Sequence, residues 1–133
     1  MSLRHILSLA LCIGVAAPAL AQNAGSYLAG RAAALSNDYA EAADYYTRAL
    51  IRDQGNPVII ESALNSFVGL GDIDRAYPLA RRLQEGGIDS MLANLVVYGR
   101  YARDGEWDAI FEGFEAGREV GPLFDGLAQA WAH

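Results

Sequence analysis

The 133-residue sequence predicts an all-α fold, organised as an α-solenoid of stacked antiparallel helical hairpins. Apolar residues recur at helical spacing along most of the chain, and no segment alternates with the period of two that marks a strand. Short polar or glycine turns separate the helical segments and repeat at one period. Asn37-Asp38, Gly71-Asp72 and Gly105-Glu106 follow one another at intervals of 34 residues. A fixed period of this length indicates a helical-repeat architecture of about three copies plus one further helix.

Residues 1–21 are a predicted export signal. Arg4 supplies a basic start, an apolar run follows, and Ala19-Leu20-Ala21 has the small-x-small pattern at which signal peptides are cleaved. The apolar run is shorter than the roughly 20 residues that a membrane-spanning helix needs. We therefore expect cleavage between Ala21 and Gln22 and a periplasmic or secreted protein.

The first predicted copy covers 23–56 and opens with a helix over 27–35. After the first turn, apolar residues follow the i, i+3, i+4, i+7 rule and predict a second, amphipathic helix. These residues are Tyr39, Ala42, Ala43, Tyr46, Ala49 and Leu50. Very small and aromatic side chains alternate among them. Two helices approach closely only where a side chain is tiny, and a neighbouring ring then fills the space beside it.

The second predicted copy covers 57–90, with helices over 58–70 and 73–83. Gly86-Gly87 ends the second of these, because glycine readily adopts the left-handed conformation that closes a helix.

The third predicted copy covers 91–122. Its first helix is expected over 90–103, with Ser90 as the N-cap, and its second over 106–120. Gly113 and Gly117 share the small-xxx-small spacing of membrane helices. Charged neighbours favour close helix packing in water instead.

The last segment, 123–133, is predicted to be a terminal helix or an unfinished fourth repeat. Its apolar residues cover most of the helix circumference and leave Asp125, Gln129 and His133 as one narrow polar stripe. A terminal helix needs a polar outer face. We therefore expect the chain either to continue in a longer protein or to self-associate through 123–133.

The residues over 23–122 resemble the tetratricopeptide repeat family, whose units are 34-residue helix-turn-helix hairpins. The first copy matches best, at Gly30, Asn37-Asp38-Tyr39, Ala42, Tyr46, Ala49 and Asp53. The second copy departs at Leu64 and Ala80, and the third at Ile110 and Gly117. The resemblance implies a non-catalytic module that binds a peptide or a partner subunit in a concave groove.

By the same resemblance, the first helix of each copy lines the groove. The residues expected there are Tyr27, Arg31, Glu61, Asn65, Val68, Leu92, Leu95, Gly99 and Arg103. Some family members hold a terminal carboxylate with lysine and asparagine. This carboxylate-binding set of residues is missing, because the chain has no lysine and has Leu92 and Val96 where basic residues would be needed. An extended peptide or an amphipathic helix is the expected ligand.

Charge and composition exclude several other classes. The formal net charge is −6, and it becomes more negative when Arg4 leaves with the signal. This acidity argues against binding nucleic acid or anionic membranes, which both present phosphates. Cys12 lies in the removed segment, and His133 is the only histidine that remains. A Ser/His/Asp or Cys/His site is therefore not expected, and no pattern indicates a cofactor. An exported chain without disulfides fits a bacterial periplasm.

Two alternatives remain open. The chain could be a scaffold segment of a longer repeat protein whose binding function lies elsewhere, or a helical enzyme that uses carboxylates alone, at Glu112, Glu115 and Glu119. A solvated helix face explains these glutamates better. Residues 104–108 space their oxygens like a calcium loop, but Ala109 stands where the loop needs glycine. No metal site is expected.

Overall fold

A computed structural model describes residues 17–131 of the chain. This part is all-helical, and no strand occurs within it, which confirms the predicted all-α class. The helices are α1 (Ala17–Leu35), α2 (Tyr39–Arg52), α3 (Pro57–Gly69), α4 (Ile73–Glu85), α5 (Met91–Asp104), α6 (Trp107–Glu115) and α7 (Pro122–Trp131). Most of the predicted export signal, residues 1–16, lies outside the described residues. α1 begins at Ala17, earlier than predicted, and runs through the expected cleavage position.

Neighbouring helices in the chain pack on one another from α1 to α6, and α3 also contacts α5. Fully buried alanines occupy the contacts between helices. They are Ala42, Ala49, Ala63, Ala76, Ala80 and Ala93. Side chains this small let the helix axes approach closely, and larger residues such as Leu64, Leu83 and Tyr98 fill the remaining space.

The turns at 37, 71 and 105 share one backbone geometry. Asn37, Gly71 and Gly105 have φ angles of 58°, 73° and 78°, all in the left-handed region. The residue after each turn donates its N–H to a carbonyl five residues back, over 2.8 to 2.9 Å. The donors and acceptors are Asp38 to Ala33, Asp72 to Phe67 and Glu106 to Tyr101. This pattern is the Schellman motif, so the 34-residue spacing of the turns is also present in the backbone.

Capping distinguishes the third of these turns from the other two. The side chains of Asp38 and Asp72 each accept the N–H three residues ahead, at 3.1 Å, and so begin α2 and α4. Glu106 makes no such bond at the start of α6. The predicted N-cap Ser90 is confirmed, because its hydroxyl accepts the N–H of Ala93 at 3.3 Å.

Complementary sizes explain the second copy's departures from the expected pattern. In the first copy Gly30 lies under the ring of Tyr46, and a Cβ on Gly30 would stand 2.9 Å from that ring. The matching positions of the second copy hold Leu64 and Ala80, both fully buried. In the second copy the large residue therefore lies on the first helix and the small residue on the second, the reverse of the first copy.

The third copy places two large residues at these positions, Tyr98 and Phe114, with ring centroids 5.0 Å apart. Space for them comes from Gly113, since an added Cβ there would overlap the Tyr98 ring. Gly113 therefore supports close helix packing, as predicted.

The predicted helix over 106–120 is wrong at its end, because α6 stops at Glu115. Gly117 turns left-handed at φ 74°, and the N–H of Arg118 bonds to the carbonyl of Gly113 at 3.0 Å. In the second copy the same motif forms at Gly87. The two turns are 30 residues apart rather than 34, so α6 is about one turn short. Gly117 therefore forms a turn and does not take part in helix packing.

The predicted polar stripe of the last helix is described only at Asp125, since His133 and the side chain of Gln129 lie outside the described residues. The Asp125 carboxylate accepts the backbone N–H groups of Val120 and Gly121, each at 3.1 Å, and so binds the start of α7. The ring of Phe124 lies 6.2 Å from that of Phe114, which joins α7 to α6. α7 is not among the helices that pack closely on a neighbour in the described chain.

Candidate functional site

The expected groove residues lie mainly in two rows on the first helices. Tyr27, Glu61 and Leu95 form one row at intervals of 34, and Arg31, Asn65 and Gly99 form the other. The rows are carried by α1, α3 and α5. Because α3 contacts α5, the second and third members of each row lie on adjoining helices.

The polar members of the rows are exposed. Arg31, Glu61 and Asn65 all present surface to solvent. Glu61 also accepts a hydrogen bond from the hydroxyl of Ser90, at 2.8 Å. Since Ser90 caps α5, this bond joins α3 to the start of the next first helix. The two copies are thereby tied together beside the exposed row.

Three expected groove residues contribute partly to the core. Tyr27, Val68 and Leu92 are half-buried and pack against the buried cluster. The Tyr27 ring lies 5.9 Å from the ring of Tyr46. Burial raises the pKa of the Tyr46 hydroxyl, although a hydrogen bond with Ser62 of α3 acts in the opposite direction. These side chains offer edges rather than whole faces to a ligand.

Arg103 lies against α4. Its guanidinium is 3.7 Å from the carboxylate of Asp74, which also accepts a 3.2 Å hydrogen bond from Arg100. The guanidinium carbon of Arg100 lies 5.3 Å from the ring centre of Tyr77. The two arginines therefore connect α5 to α4, while the Arg103 side chain remains 53% exposed.

The third copy opens into an apolar cavity of about 400 Å³, here called the terminal cavity. Its lining residues come from α5, α6 and α7. They are Leu95, Tyr98, Gly99, Ala102, Trp107, Ile110, Phe111, Phe124 and Leu127. Trp107 is 57% exposed and Leu127 is 63% exposed. A mostly apolar concavity of this volume is typical of a binding site.

Sequence reasoning did not predict most of the terminal cavity. Of its lining residues, only Leu95 and Gly99 were expected at a binding surface. A signal was present, however. Trp107 stands at the position of Tyr39 and Ile73, and those two residues are half-buried. Within residues 17–131, α7 is not among the helices that pack closely on a neighbour, and the tryptophan stays exposed. A large apolar residue at this repeat position is therefore the signal for an apolar surface on α6.

The carboxylates singled out in the sequence have other surroundings. Asp104 accepts a 2.8 Å hydrogen bond from Arg100, which holds the pKa of the Asp104 carboxyl below its usual value. Glu112, Glu115 and Glu119 are exposed. Over residues 17–131, acidic, histidine and cysteine side chains form no group of three that could hold a metal ion.

None of the described helices is both long and apolar enough to cross a membrane. The two candidate surfaces are the exposed rows on α1, α3 and α5 and the terminal cavity. Their assignment depends on geometry alone, because no protein-family model, no curated protein and no solved structure matches this chain.

Proposed function

We propose that the protein is a non-catalytic interaction module of the tetratricopeptide type, which holds a peptide or a partner subunit against its first helices. In this proposal the helix pairs stack as a solenoid and α1, α3 and α5 line its concave side. The observation that carries it is the recurrence of one Schellman turn at Asn37, Gly71 and Gly105. Equal turns at equal intervals are what a stack of similar helical hairpins requires.

The ligand surface would combine polar and apolar parts. Arg31, Glu61 and Asn65 supply exposed hydrogen-bonding groups in the first two copies. Leu95, which is 43% exposed, supplies an apolar contact in the third. An extended peptide or an amphipathic helix has the matching alternation of polar and apolar groups.

We further propose that the module works in the periplasm, after cleavage between Ala21 and Gln22. Its acidity disfavours nucleic acid and anionic membranes as partners. A non-catalytic role agrees with the absence of histidine and cysteine from 22–132. Those side chains supply most neutral-pH bases and activated nucleophiles.

The test is capture of partners from a periplasmic extract by the immobilised protein and by an Arg31→Glu, Asn65→Leu variant. The altered residues are exposed, so the variant should fold like the parent. We expect the specifically bound partner to be lost or reduced at least tenfold, which corresponds to about 1.4 kcal/mol.

Arg48→Glu is the matched control. Arg48 lies on α2, is 60% exposed and changes charge by the same amount. Loss of the partner from both variants would indicate a charge effect, and retention by both would refute the groove assignment. Retention by both would favour the scaffold alternative, in which binding lies elsewhere on a longer protein.

A further inference from the structure

We propose that molecules of this protein associate head to tail. In this proposal α1 of one molecule, its head, docks beside the terminal cavity of the next molecule, its tail. The inference is independent of the proposed groove. It starts from the way each first helix covers the second helix of the preceding copy.

Two junctions between copies occur within the described chain. At the first, Gly69 of α3 receives the ring of Tyr39, and an added Cβ on Gly69 would lie 2.8 Å from that ring. Ser62 of α3 lies within hydrogen-bonding reach of Tyr46. At the second, Arg100 and Arg103 of α5 contact α4. The residues that make these contacts, at 62 and 69 and again at 100 and 103, lie on one helix face, which serves as the docking face.

Within the described residues, the corresponding face of α1 is apolar and exposed to solvent. Its residues, here called the α1 stripe, are Gly25, Leu28, Ala32 and Leu35, and all are exposed. Leu28 is 62% exposed and Leu35 is 80% exposed. They stand 34 residues before Ser62 and Gly69, so they belong to the face that covers a preceding helix. Exposed leucines at these positions lack the cover that the junctions provide elsewhere.

The opposite end of the chain presents the complementary surface. Trp107 and Phe111 of α6 stand where Tyr39 and Tyr77 make the contacts of the two internal junctions. Trp107 is 57% exposed and Phe111 is 37% exposed. α7 reaches Phe114 through Phe124 but leaves both residues accessible. Phe114, the counterpart of Tyr46, is already in contact with α7, so the α1 stripe would meet the part of this surface that Trp107 and Phe111 form.

A second molecule of this protein is thus the proposed partner for the α1 stripe, because it would continue an interface already present twice within the chain. The contact joins two different surfaces, so each molecule in a pair keeps one free surface that can bind a further molecule. Such heterologous contacts produce chains of copies whose length increases with concentration, unless a rotation closes them into a ring.

The test uses protein expressed from the full sequence, with the N-terminal residue determined by mass spectrometry. Sedimentation of the parent should show an average mass that rises with concentration. Leu35→Glu blocks the head and Trp107→Glu blocks the tail, so each alone should sediment as a monomer. Their equimolar mixture should form a species of about twofold mass, because one intact head and one intact tail can still meet.

Ile51→Glu is the matched control, since Ile51 is 70% exposed on α2 and lies outside both surfaces. It should associate like the parent. Circular dichroism checks folding, and Leu28→Glu replaces Leu35→Glu if that variant unfolds. A monomeric parent would overturn the proposal. So would a mixture that stays monomeric, or a Leu35→Glu variant that still associates while Trp107→Glu does not, which would indicate tail-to-tail contact.

Discussion

The first two copies and the third copy solve the same packing problem in different ways. In the first two, one of the two matching positions is large and the other small: Tyr46 lies over Gly30, and the second copy has buried Leu64 and Ala80 at these positions. In the third, both are aromatic, and the space comes from a neighbouring glycine, Gly113. The three copies therefore keep the total side-chain volume at the contact between their two helices, whereas the residues that supply this volume differ.

The same regions differ in how they end. The second copy closes α4 at Gly87, whereas the third closes α6 about one turn earlier, at Gly117. α5 supports this early turn, since the hydroxyl of Tyr98 donates to the carbonyl of Arg118 at 2.7 Å and Asn94 donates to that of Glu119 at 2.8 Å. Trp107, at the start of this shortened helix, is 57% exposed.

The largest expected effect follows from removing the first copy's ring. Tyr46 is 3% exposed, and Tyr46→Ala should lower the free energy of unfolding by about 3–5 kcal/mol in urea denaturation, because it leaves a cavity above Gly30.

Adding Gly30→Leu to Tyr46→Ala recreates the large and small pair of the second copy. It should recover about 0.5–3 kcal/mol, although Gly30→Leu alone destabilises the protein by overlapping the Tyr46 ring. A double variant no more stable than Tyr46→Ala would refute the idea that the copies share a volume.

The next prediction tests the packing of the third copy, in which Gly113 makes space for the Tyr98 ring. Gly113→Ala should cost about 1–3 kcal/mol, because the new methyl group overlaps the buried Tyr98 ring. Gly99→Ala is the control, since an added Cβ there meets nothing within 4 Å, and it should stabilise α5 by about 0.5–1 kcal/mol. Thermal unfolding that changes in the same direction for both variants would contradict the packing role of Gly113.

A smaller change would make the third turn resemble the other two. Glu106→Asp gives α6 the side-chain cap that Asp38 and Asp72 give to α2 and α4. It should raise the free energy of unfolding by about 0.5–1 kcal/mol. Asp38→Ala, which removes an existing cap, should have the opposite sign. An unchanged melting temperature for Glu106→Asp would show that the missing cap does not weaken the third copy.

The smallest expected effect concerns acid stability at the second turn. Hydrogen bonds from the side chain and backbone of Arg75 hold the pKa of Asp72 below its ordinary value. Because the folded-state pKa is the lower one, ionised Asp72 stabilises the fold above the ordinary carboxyl pKa. This contribution is lost as the pH falls through the folded-state value.

Asp72→Asn keeps a side-chain oxygen for the cap but cannot titrate. Its melting temperature should therefore fall less than that of the parent between neutral pH and acid. Asp104→Asn should behave with the same sign, since a hydrogen bond from Arg100 lowers the pKa of Asp104. Equal acid sensitivity in the parent and in Asp72→Asn would contradict this role.

Local patterns predicted the helices and the inner turns well. Apolar spacing identified α2, and Ser90 was recognised as the N-cap of α5. Asn37-Asp38 and Gly71-Asp72 were placed correctly, because a left-handed residue followed by a capping aspartate depends on side chains within a few positions. The candidate site was less predictable. Arg103, an expected groove residue, also pairs with Asp74 of α4, and no local spacing indicates that contact between helices.

By itself, the sequence therefore determined the all-α class, the turns at 37, 71 and 105 and most helix boundaries, since these depend on short-range spacing and backbone preference. Only the tertiary structure decided where α6 ends, because hydrogen bonds from α5 to Arg118 and Glu119 select an early turn over a continued helix. It also decided that Trp107 remains exposed. Exposure depends on whether another helix covers a residue, and no local pattern contains that information.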